Sequence, residues 1–192
     1  MLEIRETELS GVLEITPKVF GDERGWFMES FTERELSEAG VKAKFCQDNH
    51  SYSADRGTLR GLHYQLCPMA QAKIVRVTRG EIFDVAVDIR KGSPMYGKWV
   101  GVRLSAENKK QVFIPRGFAH GFITLTDDVE VQYKADNYYS PAHDGGIRWN
   151  DPEIGIKWPM PPAILSEKDR NAPLLSERAA EGLNFIFGET DE

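Results

Sequence analysis

The sequence is short of several things, and each shortage excludes a class of protein. Two cysteines in 192 residues, Cys46 and Cys67, do not make a disulfide framework or a zinc-type spacing, so a reducing interior is expected. No apolar run approaches the length of a membrane span. The opening stretch MLEIRETELSGV carries charge too early for a secretory signal. Basic residues are outnumbered, 24 Lys and Arg against 30 Asp and Glu, for a net charge of −6. That balance argues against a duplex nucleic acid partner, although a few local cations still suffice for one diphosphate. There is no G-x-G-x-x-G segment, hence no sign of a redox dinucleotide. There is also no internal repeat and no Ser/Gly linker. One domain spanning 1–192 is expected, soluble, cytoplasmic and large enough to bury a core.

What the chain does have is a series of short apolar runs rich in Val, Ile, Phe and Tyr. They are GVLEITPKVF (11–20), KIVRV (73–77), EIFDVAVDI (81–89), KWVGVRL (98–104), QVFIP (111–115), GFITL (121–125) and VEVQYK (129–134). Their partial period-two alternation predicts strands. Arg79-Gly80 and Asp127-Asp128, between successive runs, suit hairpin turns. Many short strands with few helical stretches predict an all-β fold, an antiparallel sandwich or barrel. One helix is predicted at TERELSEAG (32–40), with Thr32 and Glu35 in a capping-box pattern and Gly40 as a stop. Beyond Tyr139 proline and glycine thicken, which predicts irregular chain over the sheets, with one or two helical turns in 166–182.

Four segments carry the residues able to do chemistry: RGLHYQ (60–65), KIVRV (73–77), PRGFAHGF (115–122) and YKADNYYSP (133–141). Taken alone, His63 reads as a histidine hydrogen-bonded near a sheet rim. In a regular strand Arg60 and His63 point to opposite faces, and they share one only if Gly61 introduces a bulge or the strand twists at the mouth. Lys73 alone reads as a solvated strand end, and Tyr133 and Tyr139 as packing aromatics. His120 follows a P-x-G-x-x-H spacing like that of a second cupin motif. The H-x-H and Glu of the first cupin motif are missing, so the pocket reads as metal-free. Asp169, in SEKDR, has two readings: a helix-start carboxylate in an S-x-x-D pattern, or a partner that orients His63 and favours its imidazolium.

Read together, VFGDERG, QDNHS, LRGLHYQ, FDVAVDIR, VGVRLSAEN, IPRGFAHGF and YYSP stand in one order along nearly the whole chain. In that order the sequence closely resembles the dTDP-4-dehydrorhamnose 3,5-epimerase family, dTDP-sugar isomerases of jelly-roll, cupin-like fold. The resemblance implies His63 as general base, Asp169 as its partner and Tyr133 as general acid on the opposite face of the sugar. Lys73 would support the enolate oxygen at C4, and Arg60 and His120 would line the pocket and touch sugar or phosphate. Arg24, Glu29, Gln47 and Asn49 match nucleotide-sugar contacts, Tyr139 an aromatic stacked on thymine, and Lys168 a further ligand contact. Asp144 stands where the family pattern has Glu, one methylene longer. A homodimer without cofactor is implied as well.

These residue types suit the reaction. A C4 ketone acidifies the hydrogens on C3 and C5, and an imidazole removes them only if the enolate is stabilised as it forms. An ammonium at the carbonyl oxygen supplies that, most strongly in a dry pocket. Inversion then needs a proton donor on the other face, within reach of a phenol. The expected outcome is conversion of dTDP-4-dehydro-6-deoxy-D-glucose to dTDP-4-dehydro-L-rhamnose. The rivals are an epimerase acting at C3 or C5 alone, a metal-dependent cupin enzyme, and a non-catalytic sugar-nucleotide binder.

Overall fold

The apolar runs do form strands, and they stack in two layers. The computed structural model describes residues 2–189. The strands are β1 (Leu2–Glu6), β2 (Leu13–Pro17), β3 (Val19–Asp22), β4 (Gly25–Met28), β5 (Gln47–Ser53), β6 (Leu59–Gln65) and β7 (Lys73–Arg79). They continue with β8 (Glu81–Asp88), β9 (Trp99–Ser105), β10 (Gln111–Ile114), β11 (Phe118–Thr124), β12 (Val129–Ala135) and β13 (Asp144–Gly146). Three short helices complete the set: α1 (Glu33–Glu38), α2 (Glu167–Arg170) and α3 (Leu175–Glu181). A six-stranded sheet runs β1-β2-β10-β7-β12-β5, a five-stranded sheet runs β13-β6-β11-β8-β9, and β3-β4 stands apart as a two-stranded ribbon. The strand pairs are antiparallel. This is the expected all-β, cupin-like sandwich.

Alternation decides which side chains meet between the layers. Val75 and Val77 of β7, Val112 and Ile114 of β10 and Val129 and Val131 of β12 face Ile82 and Ala86 of β8, Leu104 of β9 and Phe118 and Phe122 of β11. The outer face of the five-stranded sheet is also apolar, with Leu62, Tyr64, Val85 and Val87. The late, irregular chain covers it through Ile147, Ile154, Leu175 and Phe185. On the outer face of the six-stranded sheet, Ile15, Ile74 and Phe113 lie under Leu36 of α1 and Val41. The irregular segments after Tyr139 are therefore lids over a sheet face, as their composition implies.

Three details differ from expectation. Arg79-Gly80 and Asp127-Asp128 are not hairpins: the first joins β7 to β8 and the second β11 to β12, and each pair lies in opposite sheets. Positive φ at Gly80 (75°) and Asp128 (54°) permits the sharp reversal. Turn chemistry reports a reversal but not which sheet the next strand joins, and here burial of both inner faces decides it. The run 11–20 breaks at Lys18 into β2 and β3. The capping box of α1 does not form: Thr32 makes no side-chain cap bond, and the Glu35 carboxylate instead accepts the Leu2 N–H at 2.5 Å.

Candidate functional site

A hollow of about 460 Å³ opens between the two sheets. The five-stranded sheet lines it with Arg60, His63 and His120, the six-stranded sheet with Lys73 and Tyr133, and the segment entering α2 with Lys168 and Asp169. Four of the sequence segments singled out above thus converge on one cavity. His63 and His120 are direct register partners on β6 and β11.

Arg60 reaches the same side as His63 through a bulge. Between the pairs Phe122–Arg60 and His120–His63, β11 advances two residues and β6 three. Gly61 absorbs the extra residue at φ 124°. Its Cα approaches the opposing strand so closely that a Cβ there would lie 2.5 Å from the Gly121 Cα. Only glycine fits. Leu62 and Tyr64 keep the outward face, so the side chains of Arg60 and His63 both turn inward. Arg60 then bonds to the Ser53 Oγ (3.3 Å) and the Tyr52 carbonyl (3.0 Å), and no carboxylate neutralises it among the described residues.

His63 donates Nε2–H to the Asp169 Oδ1 at 2.6 Å. The second carboxylate oxygen accepts the Gly61 N–H at 3.4 Å. Of the two readings of Asp169 the structure shows the second: its carboxylate turns to His63, and the helix start uses only its main-chain N–H, which donates to the Ser166 Oγ at 3.0 Å. Burial opposes the Asp169 charge, but the bonds from His63, Gly61 and Ser166 outweigh it and hold the carboxyl below its usual range. The His63 side chain is 34% exposed and that of Asp169 5%, so the ring is open to the hollow while its anchor is dry.

Across the hollow, Lys73 has no carboxylate within ion-pair distance among the described residues. Its Nζ lies over the Tyr133 ring, 5.9 Å from the centroid. Burial pushes the Lys73 ammonium down to about 8, with Asp84 and then Asp144 pulling it back up. Burial likewise raises the Tyr133 phenol above its ordinary value, with Arg60 opposing. The Tyr133 hydroxyl has no hydrogen-bond partner among the described residues.

Asp84 is the residue that sequence reasoning missed. It is 2% exposed, lies between the inward Ile82 and Ala86 of β8, and accepts the His120 Nε2–H at 2.8 Å. Burial raises its carboxyl, and His120 and Lys73 pull against that. The signal was present: a carboxylate at an inward position of an apolar alternation needs a buried cation or donor.

A second group of predicted residues adjoins the hollow. Tyr139 donates its N–H to the Gln47 Oε1 (3.1 Å) and its hydroxyl to the Asp144 Oδ2 (3.4 Å). Gln47 in turn donates to the Asn49 Oδ1 at 3.0 Å, and Lys168 pairs with Asp144. The departure at Asp144 therefore sits inside a connected polar chain. Arg24 and Glu29 are not brought to this hollow. Arg24 occupies the tip of the β3–β4 ribbon, where it pairs with Asp22. The ribbon itself is apolar and open to solvent, with Phe20 51%, Trp26 57% and Phe27 66% exposed. Among the described residues no group of three or more His, Cys, Asp or Glu could hold a metal ion, and no helix is long and apolar enough to cross a membrane.

Residues 6–177 match the sequence model of the family described as dTDP-4-dehydrorhamnose 3,5-epimerase. The chain is 58% identical over 171 residues to the dTDP-4-dehydrorhamnose 3,5-epimerase of Shigella flexneri, covering 88% of this chain and 94% of that one. It is similar to the dTDP-6-deoxy-D-glucose-3,5-epimerase of Legionella pneumophila Philadelphia 1, solved in complex with dTDP-4-keto-L-rhamnose. That structure is 46% identical with a TM-score of 0.92, over 97% of this chain and 99% of the other. The dTDP-4-dehydrorhamnose 3,5-epimerase of Bacillus anthracis, solved with TDP and pyrophosphate bound, is 49% identical with a TM-score of 0.88, over 91% and 99%.

Proposed function

The chain belongs to the dTDP-4-dehydrorhamnose 3,5-epimerase family, an isomerase family, and we propose that it inverts C3 and C5 of dTDP-4-dehydro-6-deoxy-D-glucose to give dTDP-4-dehydro-L-rhamnose. The observation that carries this reading is the placement of His63 and Tyr133 on opposite walls of one hollow, with Lys73 beside Tyr133.

The geometry supports the following steps. His63, oriented by Asp169, removes the proton from C3 or C5 as general base. The carboxylate fixes the tautomer and stabilises the imidazolium that results. The electrons move onto the C4 oxygen, where the Lys73 ammonium waits without a carboxylate partner, so the enolate becomes its counter-ion. Tyr133 then delivers a proton to the same carbon from the far wall. Its raised pKa keeps the phenol protonated through neutral pH, as a donor must be. Arg60 adds a cation toward the sugar and phosphate oxygens, and His120, held by Asp84, lines the pocket beside them. Gln47, Asn49, Tyr139, Asp144 and Lys168 bind the nucleotide, Tyr139 by stacking on the thymine ring.

The same reading extends to assembly and setting. We place the protein in the cytoplasm as a homodimer that works without metal or other cofactor. Both cysteines are free thiols, in keeping with a reducing compartment. The open apolar ribbon of β3 and β4 is a surface suited to a second copy. Pairing through it would carry Arg24 and Glu29 toward the partner's nucleotide. Sedimentation should give twice the chain mass, and Phe27→Asp should give the single chain; a wild type that sediments as one chain at micromolar concentration contradicts the dimer. Activity should persist through chelation, because the H-x-H and Glu of a first cupin motif are missing from the sequence.

The deciding experiment is turnover of dTDP-4-dehydro-6-deoxy-D-glucose in deuterated water, followed by proton NMR. Deuterium at both C3 and C5 of an L-lyxo product is expected. Incorporation at one carbon alone assigns a mono-epimerase, and no incorporation removes the enzyme reading.

A further inference from the structure

A buried amide two residues beyond His63 ties the Tyr139 loop to the strand that carries the base. Gln65, the last residue of β6, is 4% exposed. Its Nε2 donates to the carbonyl oxygens of Met69 (2.6 Å) and Tyr138 (3.1 Å), and its Oε1 accepts the Ser140 N–H (2.7 Å). Both amide hydrogens and the amide oxygen are used. The bonds grip the backbone immediately before and immediately after Tyr139, and they join it to the loop 66–72. The same two loops meet again where the Gln71 Nε2 donates to the Asn137 carbonyl at 2.7 Å. Tyr139 itself is 58% exposed and lies in irregular chain, so no apolar packing fixes its ring. Polar clips around it do.

We propose that Gln65 is a positioning residue for the nucleotide base, presetting Tyr139 so that thymine meets a platform already in place. This rests on the assignment of Tyr139 as the thymine-stacking ring. Ordering a loop during binding subtracts from affinity, and a loop ordered beforehand does not. Gln65 also lies on the same strand as His63, so the base platform and the catalytic imidazole share one rigid element. The position is specific to an amide. A carboxylate there keeps the acceptor but sets a negative charge against two carbonyl oxygens, and an apolar side chain leaves three backbone groups without partners.

The test compares Gln65→Glu, Gln65→Met and Tyr139→Ala with the wild type, by calorimetric titration of dTDP and of inorganic pyrophosphate, by steady-state kinetics and by thermal melting. For the Gln65 variants we expect dTDP affinity to fall about tenfold or more and KM to rise in parallel. Pyrophosphate affinity and kcat should stay close to wild type, while the melting temperature falls with the lost bonds. Equal weakening of dTDP and pyrophosphate, or a kcat that falls in step with kcat/KM, would overturn the proposal and make Gln65 a support of β6. Failure of both Gln65 variants to fold would overturn it in the same way. Tyr139→Ala separates the two layers of the argument. If it weakens dTDP while the Gln65 variants do not, only the role of Gln65 is wrong. If it leaves dTDP binding unchanged, the stacking assignment falls and the proposal with it.

Discussion

His63 and His120 face each other across the β6–β11 ladder, and each donates its Nε2–H to a different buried aspartate, His63 to Asp169 and His120 to Asp84. The two pairs differ in access. The His63 side chain is 34% exposed and that of His120 9%. Proton transfer to carbon needs an imidazole that the substrate can touch, and His63 is the one so placed. His120 is set back, with its Nε2–H held by Asp84.

His63→Asn and Tyr133→Phe should each lower kcat by about 10²–10⁴-fold while leaving dTDP affinity near wild type. Neither side chain is assigned to the nucleotide, so calorimetry separates catalysis from binding. A variant that keeps most of its turnover would remove that residue from the acid–base pair.

Lys73 is expected to set the alkaline limit of the reaction. Burial holds its ammonium near 8, so it loses its proton as pH rises through that value, and the enolate loses its counter-ion. A plot of kcat/KM should fall above about pH 8, tenfold per unit. Lys73→Arg, whose cation does not deprotonate in this range, should work more slowly but without that limb. Persistence of the limb in Lys73→Arg would assign it to another group.

Asp84→Asn should move the same limb toward lower pH. The Asp84 charge is the larger of the two that pull the Lys73 ammonium upward, so its removal lets burial dominate. The groups around Lys73 that remain, Asp144, Tyr133, His120, His63, Arg60, Lys168 and Asp169, are untouched. An unchanged profile would show that Asp84 serves only to orient His120.

Gly61→Ala tests the bulge. The left-handed φ and the backbone of Gly121 in the way of a Cβ should cost about 1–3 kcal/mol or more, read as a lowered melting temperature. Activity should fall further than stability, because straightening the strand turns Arg60 away from the hollow.

Legibility followed the physics of burial. The strands with an apolar inner face, β7, β8 and β12, stand out by alternation, because one side of each packs against the opposite sheet. β5, with the sequence QDNHSYS, does not: Asn49 and Ser51 lie opposite Tyr133 and Val131 on the face that borders the hollow, and its other face is solvated, so it carries no apolar pattern to detect. β4 lacks a partner layer within the chain and escapes for the opposite reason, its apolar residues Trp26 and Phe27 being exposed. Most pocket residues are legible through motifs. Asp84 was hidden inside the motif FDVAVDIR, where it read as ordinary strand sequence. Asp169 could not be resolved from sequence because helix capping uses its backbone and His63 its side chain, two roles that do not compete.

Asp169 comes to His63 on a helix of four residues that belongs to neither sheet. Its own anchorage is the cap from Ser166, and the chain beyond is pinned where the Arg148 guanidinium meets the Ala172 carbonyl. The imidazole and its orienting anion are therefore supplied by separate parts of the chain, the first held by sheet pairing and the second by the C-terminal segment docked beside it. Were α2 alone to swing away, the sheets would still hold ammonium, phenol and imidazole, with the imidazole free to turn: an assembled cavity with an unsteered base.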